Sequence, residues 1–200
     1  MRTNATIFIA CDTTDMDQCR QWAAIAGAHD QGLKLGLEFF SYHGPEGVQA
    51  IQRENPGMRL FLDLKLHDIP NTVGAAVRNI CTFMAPAFIT VHASGGPEMM
   101  RAAHDNCRDT TRILAVTVLT SLDADILDTI GQHSDYQAQV QRLAELAHAS
   151  RLDGVVCAAG ELTSIRKNLG NDLICMVPGI RPASATHDDQ KRVSTPAAAI

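Results

Sequence analysis

Short apolar runs alternate with segments of helical period from one end of the chain to the other. Residues 5–11 (ATIFIAC), 32–36 (GLKLG), 59–66 (RLFLDLKL), 87–92 (AFITVH), 112–119 (RILAVTVL), 153–158 (DGVVCA) and 173–177 (LICMV) have the length and aliphatic content of strands. Between them, residues 16–27, 45–53, 70–83, 97–107, 122–130, 136–150 and 160–168 predict helices. Pro45, Pro70 and Pro97 stand in or near first turns, where a missing N–H costs nothing. The polar run 183–192 (ASATHDDQKR) predicts a flexible loop, and Pro196 a further helix start.

Strands that alternate with helices predict right-handed βαβ units and a parallel sheet, an α/β fold. An open doubly wound sheet would place a glycine-rich turn after strand one, where this chain has Cys11-Asp12-Thr13-Thr14. The expected architecture is therefore a TIM-type (β/α)8 barrel, apparently truncated before its eighth strand. Residues 1–200 are expected to form a single domain. Two hundred residues are short for such a barrel, which typically takes about 250.

The chemistry concentrates in residues 59–72 (RLFLDLKLHDIPNT). Period-2 alternation sends Leu60, Leu62, Leu64 and Leu66 to one face, and Arg59, Phe61, Asp63 and Lys65 to the other. Asp63 and Lys65 would point the same way, about 6–7 Å apart. Asp68 in the following turn would bring a second carboxylate toward the same ammonium. A solvated strand with a surface ion pair has this pattern too, and such a pair is worth only about 0–1 kcal/mol. Inside a barrel the leucines face the helices, and the charged pair sits at a C-terminal strand end, where these folds keep their chemistry. The other strand ends would present Asp12, Lys34, His92, Thr120, Glu161 and Arg181.

Composition narrows the function classes. Hydrophobic residues make up 46% and charged residues 20%, ordinary for a soluble protein. Aromatics at 4% leave the core to aliphatic side chains. A net charge of −5 argues against nucleic-acid binding, which needs a basic face. No apolar run near 18 residues and no charged leader with an apolar core is present, so no membrane partner is expected. The six cysteines show no CxxC pair and no metal-like spacing. Several lie in apolar runs as small buried hydrophobes, and a reduced, cytoplasmic setting is expected.

The run Asp63-x-Lys65-x-x-Asp68-Ile69-x-x-Thr72 resembles the signature of the orotidine 5'-phosphate decarboxylase family. Resemblance extends over nearly the whole chain, through Asp12, Lys34, the segment Val116–Ser121, the segment Val177–Pro182, and Asp189–Arg192. It implies a cofactor-independent, metal-free carboxy-lyase making UMP in pyrimidine synthesis, with orotidine 5'-phosphate as its partner molecule. Lys65, Asp63, Asp68 and Lys34 would be catalytic. Asp12, Lys34, Asp63, Ile69, Thr72, Thr120, Arg181 and Gln190 would bind substrate. Asp12 would hold the ribose, Thr120 would read the pyrimidine edge, and Gln190 would bridge base and phosphate. The resemblance further implies a homodimer in which Asp68 is donated across the interface. It also implies an eighth strand with a phosphate-clamping Gly-Arg pair, and since the sequence stops at Ile200 the natural product is expected to be longer. The alternatives are a metal-dependent sugar-phosphate decarboxylase or aldolase of the same superfamily, and a noncatalytic dimerising remnant. The former would carry an acidic metal ligand on strand two, where Lys34 stands.

Blander readings attach to the remaining candidates. His67 is expected at the surface or behind the site, and His92 to pack at a strand end. Gly95-Gly96 should form a turn before a helix, Glu161 should complement a helix start, and Met99-Met100 should lie in the core.

Overall fold

The computed structural model describes residues 6–181 and 194–195. The elements, in chain order, are β1 (Phe8–Cys11), α1 (Met16–Ala28), β2 (Gly32–Gly36), α2 (Leu37–Glu54), β3 (Arg59–Leu66), α3 (Pro70–Phe83), β4 (Phe88–His92), α4 (Gly96–Asp105), β5 (Arg112–Val116), α5 (Ala124–Thr129), α6 (Tyr136–Ala149), β6 (Gly154–Val156), α7 (Leu162–Leu169) and β7 (Ile174–Met176). All seven strands pair in parallel, in the order β1-β2-β3-β4-β5-β6-β7. Nearest-neighbour order throughout is the signature of a barrel wall, and the sheet curls accordingly.

The two faces of the wall differ. Leu33, Leu35, Leu60, Leu62, Ile89, Ile113, Ala115 and Val155 turn outward and join α1–α7 in one aliphatic core. Each fully buried branched side chain there contributes about 1.5–3 kcal/mol. On the inner face, Phe8, Phe61 and Phe88 meet edge to face, with centroids 5.5–6.1 Å apart. Gly32 makes that cluster possible: a Cβ there would come within 2.2 Å of the Phe8 ring and 2.8 Å of the Arg59 carbonyl.

Local chemistry sets the helix starts. Asp15 accepts from the N–H groups of Asp17 and Gln18 to cap α1, and Asp135 does the same for α6 with Gln137 and Ala138. Glu161 is buried and accepts from the Ala158 N–H at 2.7 Å, a helix-start carboxylate as expected. Met99 and Met100 are fully buried.

Three expectations are corrected. The helix predicted over 45–53 already begins at Leu37, kinks at Gly44 (φ 62°) and restarts at Pro45. β5 ends at Val116 rather than residue 119. Cys11 and Cys19 are not separate buried thiols: the turn after β1 lays α1 against the strand and joins the two sulfurs as a disulfide. Cys81, Cys107, Cys157 and Cys175 are free. Among the described residues, no helix is long and apolar enough to cross a membrane. The loop 183–192 and the helix start at Pro196 lie outside the described residues.

Candidate active site

Four side chains, Asp12 just after β1 and three from β2 and β3, meet at the C-terminal strand ends in a line of alternating charge. Lys34 Nζ lies 2.9 Å from Asp12 Oδ1 and 3.9 Å from Asp63 Oδ2, and Lys65 Nζ lies 2.7 Å from that same Asp63 oxygen. The side chains of Asp12, Lys34, Asp63 and Lys65 are 60, 20, 12 and 31% exposed. Asp63 is thus the most buried of the four, and two ammonium groups share its carboxylate. Burying that carboxylate is tolerable only because each oxygen has a charged or hydroxyl donor.

The second donor is Thr90, fully buried on β4, whose hydroxyl donates to Asp63 Oδ1 at 2.8 Å. Thr90 Oγ1 in turn accepts the Lys65 backbone N–H at 2.9 Å. That bond replaces one the ladder cannot make. Between Leu62 and Leu66, β3 slips against β4, and Lys65 takes up φ 50°. A left-handed lysine costs about 1–2 kcal/mol, strain of the kind that collects at functional sites. The alternation that predicted Asp63 and Lys65 on one face therefore reaches the right outcome through a bulge, not a regular strand. Thr90 carried no sequence signal of its own, since a threonine in AFITVH is an ordinary β-former.

Asp68 does not fold back onto Lys65: among the described residues the two form no ion pair. Its Oδ1 accepts the adjacent Ile69 N–H at 2.6 Å, and both residues are exposed. Pro70 opens α3 there, and its fixed φ turns the chain away from the ammonium. Thr72 is exposed in the first turn of α3. Thr120 is half-buried beyond the end of β5. Arg181 is half-buried, and its N–H binds the Ser194 carbonyl at 2.9 Å beside an isolated Ile180–Ser194 bridge. Gln190 lies outside the described residues.

His92 and His67 stack behind the charged line, with ring centroids 5.4 Å apart. Burial, then the neighbouring His67 and Lys65, hold His92 below the ordinary imidazole range, while Asp63 pulls the other way. Gly95 and Gly96 form a tight turn into α4, as expected, with Gly96 at φ 86°. Among the described residues, no three His, Cys, Asp or Glu side chains group as metal ligands. Two clefts, of about 510 and 270 Å³, lie elsewhere, the first lined by Ala24, Asn55 and Met58 and the second by Cys107 and Arg108.

Residues 5–200 match the model of the family described as "Orotidine 5'-phosphate decarboxylase / HUMPS family". The chain belongs to this family. It is 45% identical over 198 residues to an orotidine 5'-phosphate decarboxylase of Thermobifida fusca, covering 98% of this chain and 83% of that one. It is 46% identical over 194 residues to that of Sphingopyxis alaskensis, covering 97% and 85%. Among solved structures, the orotidine 5'-phosphate decarboxylase of Lactobacillus acidophilus superposes with a TM-score of 0.83 at 32% identity, over 98% of this chain and 85% of that one. The Methanocaldococcus jannaschii orotidine 5'-monophosphate decarboxylase, complexed with the inhibitor BMP, shares the fold at 19% identity, with a TM-score of 0.73 over 92% and 82%. The family's barrel is thus the fold of this chain.

Proposed function

We propose that this chain decarboxylates orotidine 5'-phosphate to UMP, the closing step of pyrimidine nucleotide synthesis, and does so without cofactor or metal. The observation that carries the proposal is the charged line in which Lys65 meets Asp63 at 2.7 Å and Lys34 flanks the same carboxylate.

Breaking the bond between C6 and the carboxylate leaves its electron pair on C6, in an orbital that no ring conjugation stabilises. Stabilisation must come from fixed charge that needs no reorganisation as the anion forms. Lys65 is the group held for that purpose: its ammonium faces the developing carbanion and then gives C6 its proton as carbon dioxide departs. Asp63 keeps that ammonium charged and aimed, and Thr90 holds Asp63. Lys34, tied to Asp12 at 2.9 Å, keeps the carboxylates in register and reaches the ribose. Asp12 holds the ribose hydroxyls. Ile69 and Thr72, exposed at the start of α3, contribute to the substrate pocket, Thr120 reads the pyrimidine edge, and Arg181 and Gln190 engage the far end of the ligand.

The exposed Asp68 fits a homodimer in which each protomer lends this carboxylate to its partner's Lys65. A cytoplasmic setting belongs to the same proposal; four free cysteines accord with it, and the Cys11–Cys19 bridge would there face thiol reductants. The metal-dependent alternative is disfavoured by an ammonium, Lys34, on β2 where an acidic ligand would stand. Incubation with orotidine 5'-phosphate in the presence of a chelator decides the matter. UMP formation at the chelator-free rate is expected; no UMP, or loss of turnover on chelation, would overturn the proposal.

A further inference from the structure

Outside the charged line, two free thiols, Cys81 and Cys107, lie in contact. Cys81 is fully buried near the end of α3, and Cys107 follows α4. Their sulfurs are 3.9 Å apart. The helices that carry them approach closely: Arg78 Nη1 donates to Asn106 Oδ1 at 2.8 Å, and a Cβ on Gly74 would come within 2.9 Å of Asn106 Nδ2. Neither sulfur touches Asp63 or Lys65, because this end of α3 and α4 lies where β5 begins, at the opposite mouth of the barrel wall.

The two thiols differ in access. Cys107 lines the cleft of about 270 Å³, whose charged walls are of both signs (Arg108 and Arg112, Asp105, Asp109 and Asp153), whereas Cys81 is not among its lining residues. Arg112 is paired with Asp153 at 3.1 Å, and Arg108 forms no ion pair among the described residues. The two also differ in proton affinity. Cys107 can donate to the Thr111 carbonyl at 3.2 Å, the Arg108 carbonyl at 3.5 Å, or Cys81. The contact with Cys81, burial, and the negative charge of Asp153 push the Cys107 thiol up. The hydrogen bond from Cys107 holds Cys81 down at about 6, against burial and with help from the Arg108 charge.

We propose that Cys81 and Cys107 form a redox-reactive dithiol, oxidised to an intramolecular disulfide by low-molecular-weight disulfides of the glutathione class that enter at Cys107. Buried structural cysteines are inert because reagent cannot reach them and no base adjoins them; this couple has a sulfur that lines a cleft and a second sulfur in contact with it. In the first step, Cys107 sulfur attacks one sulfur of the reagent while its proton passes to Cys81. The reagent's S–S bond breaks, and one glutathione thiolate leaves. In the second step, Cys81 gives its proton to that thiolate and attacks the Cys107 sulfur of the mixed disulfide. The second glutathione leaves as thiolate and takes a proton from water. Two protein thiols are oxidised and one glutathione disulfide is reduced to two glutathiones. Closing the bond brings the sulfurs from 3.9 Å to about 2.05 Å, a movement left to the half-buried Cys107.

The test is native full-length protein incubated with glutathione disulfide, quenched with an alkylating maleimide and mapped by peptide mass spectrometry, with circular dichroism confirming the fold. The expected product is a Cys81–Cys107 cross-linked peptide and a chain lighter by two hydrogens. Cys81→Ser should stall as a single glutathionyl adduct on Cys107, and Cys107→Ser should leave Cys81 unmodified. Both thiols still alkylatable in the native protein, a persistent wild-type adduct without cross-link, or a cross-link formed only after unfolding would each overturn the proposal. Turnover of orotidine 5'-phosphate does not enter the readout, so the result stands apart from the proposed activity.

Discussion

Replacing Thr90 by valine keeps the shape of the side chain and deletes only its hydroxyl. Two bonds disappear: the 2.8 Å donation to Asp63 Oδ1 and the 2.9 Å acceptance from the Lys65 N–H. A hydrogen bond to a charged group contributes about 1.5–3 kcal/mol and a neutral one about 0.5–1.5 kcal/mol. Thr90 is fully buried and the Asp63 side chain is 12% exposed, so water cannot readily stand in for either bond. No cavity opens, and the sum is a loss of about 2–4.5 kcal/mol. For a chain of this size each kcal/mol moves the melting midpoint by roughly 2–4 °C, so thermal denaturation should show Thr90→Val melting about 4–18 °C below wild type. Freed at one oxygen, Asp63 loses its hold on the Lys65 ammonium, and misplacement on the ångström scale costs on the order of 10²-fold in kcat. KM should change far less, because Thr90 lies beneath the charged line and not against the ligand. Thr90→Ser should recover both stability and kcat. A midpoint that falls as calculated, with kcat within about twofold of wild type, would show that the hydroxyl serves the fold alone. An unchanged midpoint would refute the bond energies themselves.

Lys65→Ala should abolish loss of the orotidylate ultraviolet absorbance and leave the circular dichroism intact; retained turnover would remove Lys65 from its role. Mixing Lys65→Ala with Asp68→Ala subunits, each inactive alone, should restore about a quarter of wild-type activity through the one intact site of each mixed dimer. No recovery in dimers verified as mixed would place Asp68 in its own protomer's site. His92 should make the fold acid-sensitive. Its folded pKa lies below the ordinary value, so as pH falls through about 6.5 the unfolded chain takes up a proton that the folded chain refuses, and stability drops. Melting midpoints between about pH 7 and 5 should fall more steeply for wild type than for His92→Gln, and parallel curves would acquit the histidine.

Much of this was legible in the letters. The alternation of residues 59–66 located β3 within its observed bounds, and the same run placed Asp63 and Lys65 together. What escaped is where tertiary contact overrides local pattern. Lys65 sits at φ 50° with no glycine to announce it, because the strain is held by a hydroxyl on the neighbouring strand. Leu37–His43 is helical although Gly44-Pro45 reads as a helix start, since the first segment packs Phe39 into the core and needs no cap of its own. The Cys11–Cys19 pairing spans a strand-to-helix turn, a spacing that matches no local cysteine motif. Asp68 was expected beside Lys65 because turn chemistry is easily read as a reversal, and the restraint of Pro70 points the chain outward instead.

The backbone at position 65 favours a residue that the site cannot use. Glycine or asparagine would settle into that left-handed bend more comfortably than any amine-bearing side chain. Lys65→Gly would relieve the bend but also strip the 2.7 Å ammonium from a largely buried carboxylate. The lysine's own salt bridge thus helps to hold the backbone conformation that its side chain disfavours.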